Sequence, residues 1–124
     1  MSEKPLQEPA FLVMTALADR PLHGYALVED VQRVSAGRVK LHTGTLYAIL
    51  DRLTDGGLVE VDHEEIVDSR LRRYYRLSTA GAERLAAETT RLEQNANAAR
   101  VRLTRLAERS GAGWGSLRPE TGAV

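Results

Sequence analysis

Thr43-Gly44-Thr45-Leu46-Tyr47-Ala48-Ile49-Leu50-Asp51-Arg52-Leu53, followed by Thr54-Asp55-Gly56-Gly57, is the stretch on which the fold turns. Leu46, Ile49, Leu50 and Leu53 fall at i, i+3, i+4 and i+7, the spacing of one buried stripe on an α-helix. Thr43 suits the N-cap, where a hydroxyl accepts an orphan backbone N–H. Asp55-Gly56-Gly57 supplies a C-cap. The stripe leaves a small, polar outer face: Thr45, Ala48 and Arg52, with Tyr47 at its edge. Such a helix enters a DNA major groove about 12 Å wide without steric conflict.

On the N-terminal side, a second helix is expected over His23–Val34, with Ala26, Leu27, Val28 and Val31 inward; Ser35-Ala36-Gly37 ends it. The connector Arg38-Val39-Lys40-Leu41-His42 leads into the decisive helix. Further back, residues 10–18 are apolar nearly all round, which requires burial. Pro9 can open that first helix and Asp19-Arg20-Pro21 ends it. Residues 1–8 are polar and expected to be loose.

On the C-terminal side the period changes to two. Val59, Val61 and His63 alternate with Glu60, Asp62 and Glu64; Arg73, Tyr75 and Leu77 alternate with Arg72, Tyr74 and Arg76. Two such segments around a polar loop read as a β-hairpin. Val59, Val61, Tyr75 and Leu77 then form its core face, with Tyr25 packed nearby. Thr79 is expected to cap a helix over about 80–109, so the segment takes residues 79–109. Its inner positions Leu85, Thr89, Leu92, Ala96, Ala99, Leu103 and Leu106 are spaced 4, 3, 4, 3, 4, 3, a heptad seam suited to a second copy. Residues 110–124, glycine-rich and containing Trp114, read as a disordered tail.

The expected fold is mainly α with a small β-hairpin: a winged helix-turn-helix over residues 9–78, then a long C-terminal dimerisation helix. A chain of 124 residues makes one such domain. With 43% hydrophobic and 27% charged residues it reads as soluble and globular. No apolar run reaches the roughly 20 residues of a membrane span, and the opening MSEKPLQEP lacks the pattern of a secretory signal. The absence of cysteine removes disulfides, thiolate zinc sites and cysteine nucleophiles. A cytoplasmic, nucleoid-associated protein is therefore expected. No Ser-His-Asp set, phosphate loop or paired-carboxylate motif is present, so an enzyme is not expected, and no cofactor is implied. Asp62-His63-Glu64-Glu65 has metal-ligand chemistry, but alternate strand residues diverge, so no metal site is expected.

Net charge is zero, so DNA affinity has to come from local cations through counterion release. Residues 69–78 hold Arg70, Arg72, Arg73 and Arg76 and no acid; residues 38–50 hold Arg38 and Lys40 and no acid. Thr43 and Thr45, with backbone N–H groups around Gly44, suit phosphate contacts at a helix N-terminus. Lys40 and the Tyr47 hydroxyl suit phosphates too, with the Tyr47 ring on the second helix. Arg70, Arg72 and Arg73 suit a narrow minor groove. Arg52 has two open roles, a base edge or a pair with Asp55. Phe11 and Met14 of the first helix join Leu85, Leu92, Ala96, Ala99, Leu103 and Leu106 as candidate dimer contacts.

Three stretches together resemble the PadR family of transcriptional regulators, in its short form with one C-terminal helix: His23-Gly24-Tyr25-Ala26-Leu27, residues 43–53, and Arg72-Arg73-Tyr74-Tyr75-Arg76-Leu77-Ser78 with Thr79-Ala80-Gly81. The resemblance implies a homodimeric repressor on the successive major grooves of an inverted repeat, released by a small apolar or aromatic effector. The hairpin loop departs from the family's glycine-rich wing tip, since Asp68-Ser69-Arg70-Leu71 has no glycine. The competing reading is a winged-helix ligand-binding or protein-interaction module without specific DNA binding.

Overall fold

The computed structural model describes residues 4–111; the tail from 112 onward, including Trp114, lies outside them. The elements are α1 (Glu8–Asp19), β1 (Leu22–His23), α2 (Gly24–Val34), α3 (Thr43–Asp55), β2 (Val59–Val67), β3 (Arg70–Leu77) and α4 (Thr79–Ser110). The chain divides into two units, one ending at Glu88 and the other beginning at Thr89, so α4 spans the boundary.

In the first unit, Val13, Met14, Ala16 and Leu17 of α1 meet Leu27 and Val31 of α2 and the stripe Leu46, Ile49, Leu50 and Leu53 of α3. Leu22, Val59 and Tyr75 of the strands close this core, and Leu85 of α4 packs against it. Its burial is what fixes α3 in place. The connector before α3 is held from within: buried Ser35 donates to the Gln32 carbonyl at 3.2 Å and accepts the Val39 N–H at 3.0 Å. Ala36 (φ 55°) and Gly37 (φ 81°) turn the chain away from α2. At the other end of α3, Gly57 (φ 75°) sits in the left-handed region; its N–H donates to the Thr54 carbonyl and that of Leu58 to Leu53. These two bonds are the Schellman closure expected from the glycine pair.

Two caps differ from expectation. Thr43 is the first residue of α3, and His42 holds the N-cap without a side-chain hydrogen bond. Ser78, not Thr79, caps α4: its Oγ accepts the Gly81 N–H at 3.0 Å and donates to the Gly57 carbonyl at 2.6 Å. Residues 4–7 are also not loose. They form a strap in which the Leu6 N–H donates to the buried Glu88 carboxylate at 2.5 Å, and Arg84 donates to the Lys4 carbonyl.

The sheet has three strands in the order β1-β3-β2, all antiparallel. The third strand is the two residues Leu22–His23, opposite Tyr75 and Tyr74. In the hairpin, Val59 faces Leu77 and Val61 faces Tyr75, the expected core pairs, although Val61 remains exposed. A bulge at Asp62 then shifts the register, so that His63 faces Tyr74. One extra residue moves every later side chain of β2 to the other face. His63 therefore leaves the core face on which the simple alternation put it.

The wing tip is a two-residue turn between the paired residues Val67 and Arg70. Asp68 (φ 52°) and Ser69 (φ 64°) both lie in the left-handed region, the pattern of a type I′ hairpin turn. Asp tolerates that region; serine at the second position does so at a cost, since the left-handed conformation disfavours L-residues by roughly 1–2 kcal/mol. Ser69→Gly is expected to stabilise the protein by about 1 kcal/mol. The check is a higher urea midpoint at unchanged slope; a midpoint that stays or falls contradicts the strain.

Candidate nucleic-acid interface

On α3, Thr43, Gly44, Thr45, Tyr47, Ala48, Asp51 and Arg52 are exposed, while the stripe beneath them is buried. At about 100° per residue, Gly44, Ala48 and Asp51 stand most directly opposite that stripe. Thr43 and Tyr47 flank them on one side, Thr45 and Arg52 on the other. Asp51 was not singled out from the sequence; the helical wheel is the signal that finds it. Tyr47 lies across the start of α2, where a Cβ on Gly24 would collide with its phenol ring and hydroxyl. The expected packing of Tyr47 on the second helix is thus present, and Gly24 is what admits it.

Tyr25 is placed differently from expectation. It is 71% exposed rather than packed against the hairpin core. Its helix turns it outward, into a cleft of about 630 Å³ between the start of α2, Tyr47 and the wing tip, where Arg70, Arg72 and Arg73 also stand.

The charge pattern of the wing changes once the strands pair. Segregated in sequence, the acids of β2 lie opposite the arginines of β3 in space. Arg73 donates from Nε to Glu64 at 2.7 Å, an interaction that holds its guanidinium more firmly protonated. Arg76 reaches Glu60 at 2.8 Å and Asp62 at 2.9 Å. The basic face expected from residues 69–78 is therefore half neutralised, because antiparallel register places Glu64 beside Arg73 and Glu60 beside Arg76. Among the described residues Lys40, Arg52, Arg70 and Arg72 make no ion pair; Arg52 does not pair with Asp55.

The bulge also joins His63 to Asp62, which strict alternation would have put on opposite faces. His63 Nδ1 lies 2.6 Å from Asp62, and its Nε2 lies 3.3 Å from Glu65. The hydrogen bond to Asp62 holds His63 above the ordinary imidazole value, and the same bond, with help from Arg76, pulls Asp62 below the usual carboxylate range. His63 stacks on Tyr74 at 4.3 Å, and Tyr74 meets His23 edge-on at 5.2 Å. Burial, then Arg72, pushes His23 below the ordinary imidazole value. No group of three or more His, Asp or Glu among the described residues is arranged to hold a metal ion.

Of the candidate dimer contacts, Met14 is fully buried within its own chain and offers a partner no surface; Phe11 is half-buried. Leu85 is half-buried on its own core. In the unit from Thr89 onward, Leu92 and Leu106 are 41% and 39% exposed, Ala96 and Ala99 are exposed and Leu103 is half-buried. No helix among the described residues is long and apolar enough to cross a membrane.

Comparison with known proteins agrees with this architecture. Residues 13–87 match the transcriptional regulator PadR-like family. The transcriptional regulator Rv3488 of Mycobacterium tuberculosis is 37% identical over 77 residues, which cover 62% of this chain and 68% of that protein. The crystal structure of a PadR family transcriptional regulator from Eggerthella lenta superposes with a TM-score of 0.63 at 26% identity, covering 76% of this chain and 80% of that one. The crystal structure of Bacillus subtilis PadR in complex with operator DNA shares the fold, with a TM-score of 0.59 at 18% identity over 65% of this chain and 47% of that one. With a matched segment that spans α1 to the first turns of α4, the chain belongs to the PadR-like family of transcriptional regulators, which are not enzymes.

Proposed function

We propose that the protein is a homodimeric, sequence-specific DNA-binding repressor. It would act on an inverted repeat in the cytoplasm, at the nucleoid, and be released by a small apolar or aromatic effector. The observation that carries this reading is the exposed face of α3, with Gly44, Ala48 and Asp51 outermost beside cations without ion pairs. The B. subtilis relative, whose structure contains operator DNA, supports the same use of the fold.

In this reading Thr43, Thr45 and the N–H groups around Gly44 bind phosphates at the start of α3. Lys40 and the Tyr47 hydroxyl bind the adjoining backbone. Arg70 and Arg72 are the wing cations available to the duplex, and Arg73 joins them only by giving up Glu64. Asp51 can accept from a cytosine N4 amino group. The seam from Leu92 to Leu106 pairs two copies, which sets the α3 helices about 34 Å apart, one helical turn of DNA. The effector would favour a dimer in which that spacing is lost.

The wing favours a second reading enough to keep it. Residues 59–77 contain five acids and four arginines, so the hairpin as a whole carries no net positive charge. A winged-helix interaction module without specific DNA binding has such a wing.

Fluorescence anisotropy separates the two. The probe is DNA upstream of the protein's own gene, beside a scrambled duplex, across a salt series. A repressor prefers the upstream duplex, and log K falls with log salt at about 0.9 per phosphate neutralised. Four unpaired cations in each of two protomers set the limiting slope at about −7. Binding to neither duplex at low salt selects the interaction module.

A further inference from the structure

We infer that the wing tip is an apolar wedge, in which Ile66 and Leu71 enter the minor groove and part a base step, so that the bound duplex is bent. The inference rests on the repressor reading above, since it needs a duplex on α3. Ile66 and Leu71 face each other across the hairpin, one pair back from the turn. They are 75% and 61% exposed, the most exposed large aliphatic side chains among the described residues. Paired residues share a face of the sheet. The next pair on that face, Glu64 and Arg73, is closed by an ion pair at 2.7 Å. Arg70 and Arg72 alternate to the other face and make no ion pair among the described residues. Glu65 stands opposite Arg72 but meets His63. The tip is therefore two-sided, apolar on one face and cationic on the other.

Area and place choose the occupant. Two side chains fall far short of the roughly 800 Å² per partner of a specific protein interface. One or two aliphatic side chains are enough to wedge a base step apart. Leu71, Arg70 and Arg72 line the cleft of about 630 Å³ whose other wall is Tyr47 of α3 and Tyr25 of α2. With α3 in the major groove, one sugar–phosphate strand separates it from the neighbouring minor groove. The cleft between α3 and the wing tip is where that strand passes, and the tip beyond it meets the minor groove. There the arginines take phosphates, and the apolar pair faces deoxyribose and base edges. A hairpin without net positive charge gains little from counterion release, so an apolar contact gives the wing a hold that charge does not. Pyrimidine–purine steps yield most easily, so the wedge adds sequence preference at positions α3 never touches.

The test combines anisotropy with end-to-end energy transfer, on the upstream and scrambled duplexes labelled at both ends. The full chain is compared with the double variant Ile66→Thr/Leu71→Thr. Threonine keeps the branching that a strand accepts and removes apolar surface, and both positions are exposed, so the urea midpoint should hold. The wild type is expected to bend its duplex by about 20° or more, raising energy transfer. The variant should bind about tenfold more weakly and leave the duplex straight. Its slope of log K on log salt should match the wild type, because an apolar contact releases no counterions. Arg70→Gln should do the reverse, lowering the slope by about one per protomer and keeping the bend. Equal affinity and equal bend in the double variant overturn the wedge and leave the repressor standing. So does a wild type that leaves its duplex straight, or a double variant that loses slope along with affinity. Self-association of the wild type that the double variant lacks, seen in sedimentation velocity, gives the pair to a second copy instead. No binding of the wild type to either duplex at low salt removes the repressor and the wedge together.

Discussion

Leu92→Glu is expected to leave the protein monomeric in sedimentation velocity and to lower operator affinity by about 10²–10⁴-fold. That range is what a bivalent binder gains from effective concentration and loses when its halves part. The physical case lies in the exposure of the seam. Leu92 and Leu106, at 41% and 39%, leave apolar surface in water along one face of the helix. In the proposed dimer a second copy covers it, and a carboxylate in the middle of that contact is desolvated without a partner. The position matters more than the residue type. Leu85 lies on the same heptad register but packs on its own core, so Leu85→Glu is expected to unfold the first unit instead of dissociating a dimer. A thermal melt distinguishes the two outcomes. A Leu92→Glu protein that still sediments as a dimer removes the seam as the interface.

Gly81→Ala is expected to have the largest effect on stability, about 3 kcal/mol. A Cβ at this position would run into the carbonyl oxygen of Leu58. That atom is backbone, already accepts the Ser78 N–H at 3.1 Å, and cannot swing aside as a side chain would. Relief requires moving α4 away from the end of α3, or breaking the Ser78 cap that holds the same junction. Thermal denaturation should show a fall in Tm of roughly 4–8 °C for each kcal/mol lost. Gly44→Ala is the control, because a Cβ there meets open space. It should leave Tm unchanged or higher, with any loss confined to operator binding. Equal melting of the two variants would falsify the close approach at Gly81.

The same glycine illustrates how much the sequence carries. Thr79-Ala80-Gly81 contributes to the family resemblance, but nothing in those letters says that Gly81 touches Leu58; that contact joins residues far apart in the chain. Local patterns were legible. The stripe of α3, the glycine C-cap, the end of α2 at Ser35 and the long helix that follows Ser78 all follow from neighbours in sequence, and each is present. Non-local facts were not. The strand Leu22–His23 is too short to show a period and exists only because Tyr74 and Tyr75 offer it an edge. The bulge at Asp62 leaves no mark in an alternating string, yet it reverses the side on which His63 stands. Charge was the most misleading signal, since the acid-free run of arginines meets its carboxylates across the hairpin. Tyr25 reads as a core aromatic by type and is on the surface by helical phase.

The strand order has a consequence for how the protein behaves in concentrated solution. With β3 in the middle, β2 presents its outer edge, nine residues of backbone with hydrogen-bonding groups and, among the described residues, no further strand alongside. Such an edge is a template on which another molecule's strand can add, the first step of sheet-to-sheet aggregation. Glu60, Asp62, Glu64 and Glu65 line it, and the irregularity at Asp62 interrupts its register. Like charges brought together by two such edges repel, and a kinked edge does not match its copy. The acidic run that resembles a metal site in sequence thus guards an open flank.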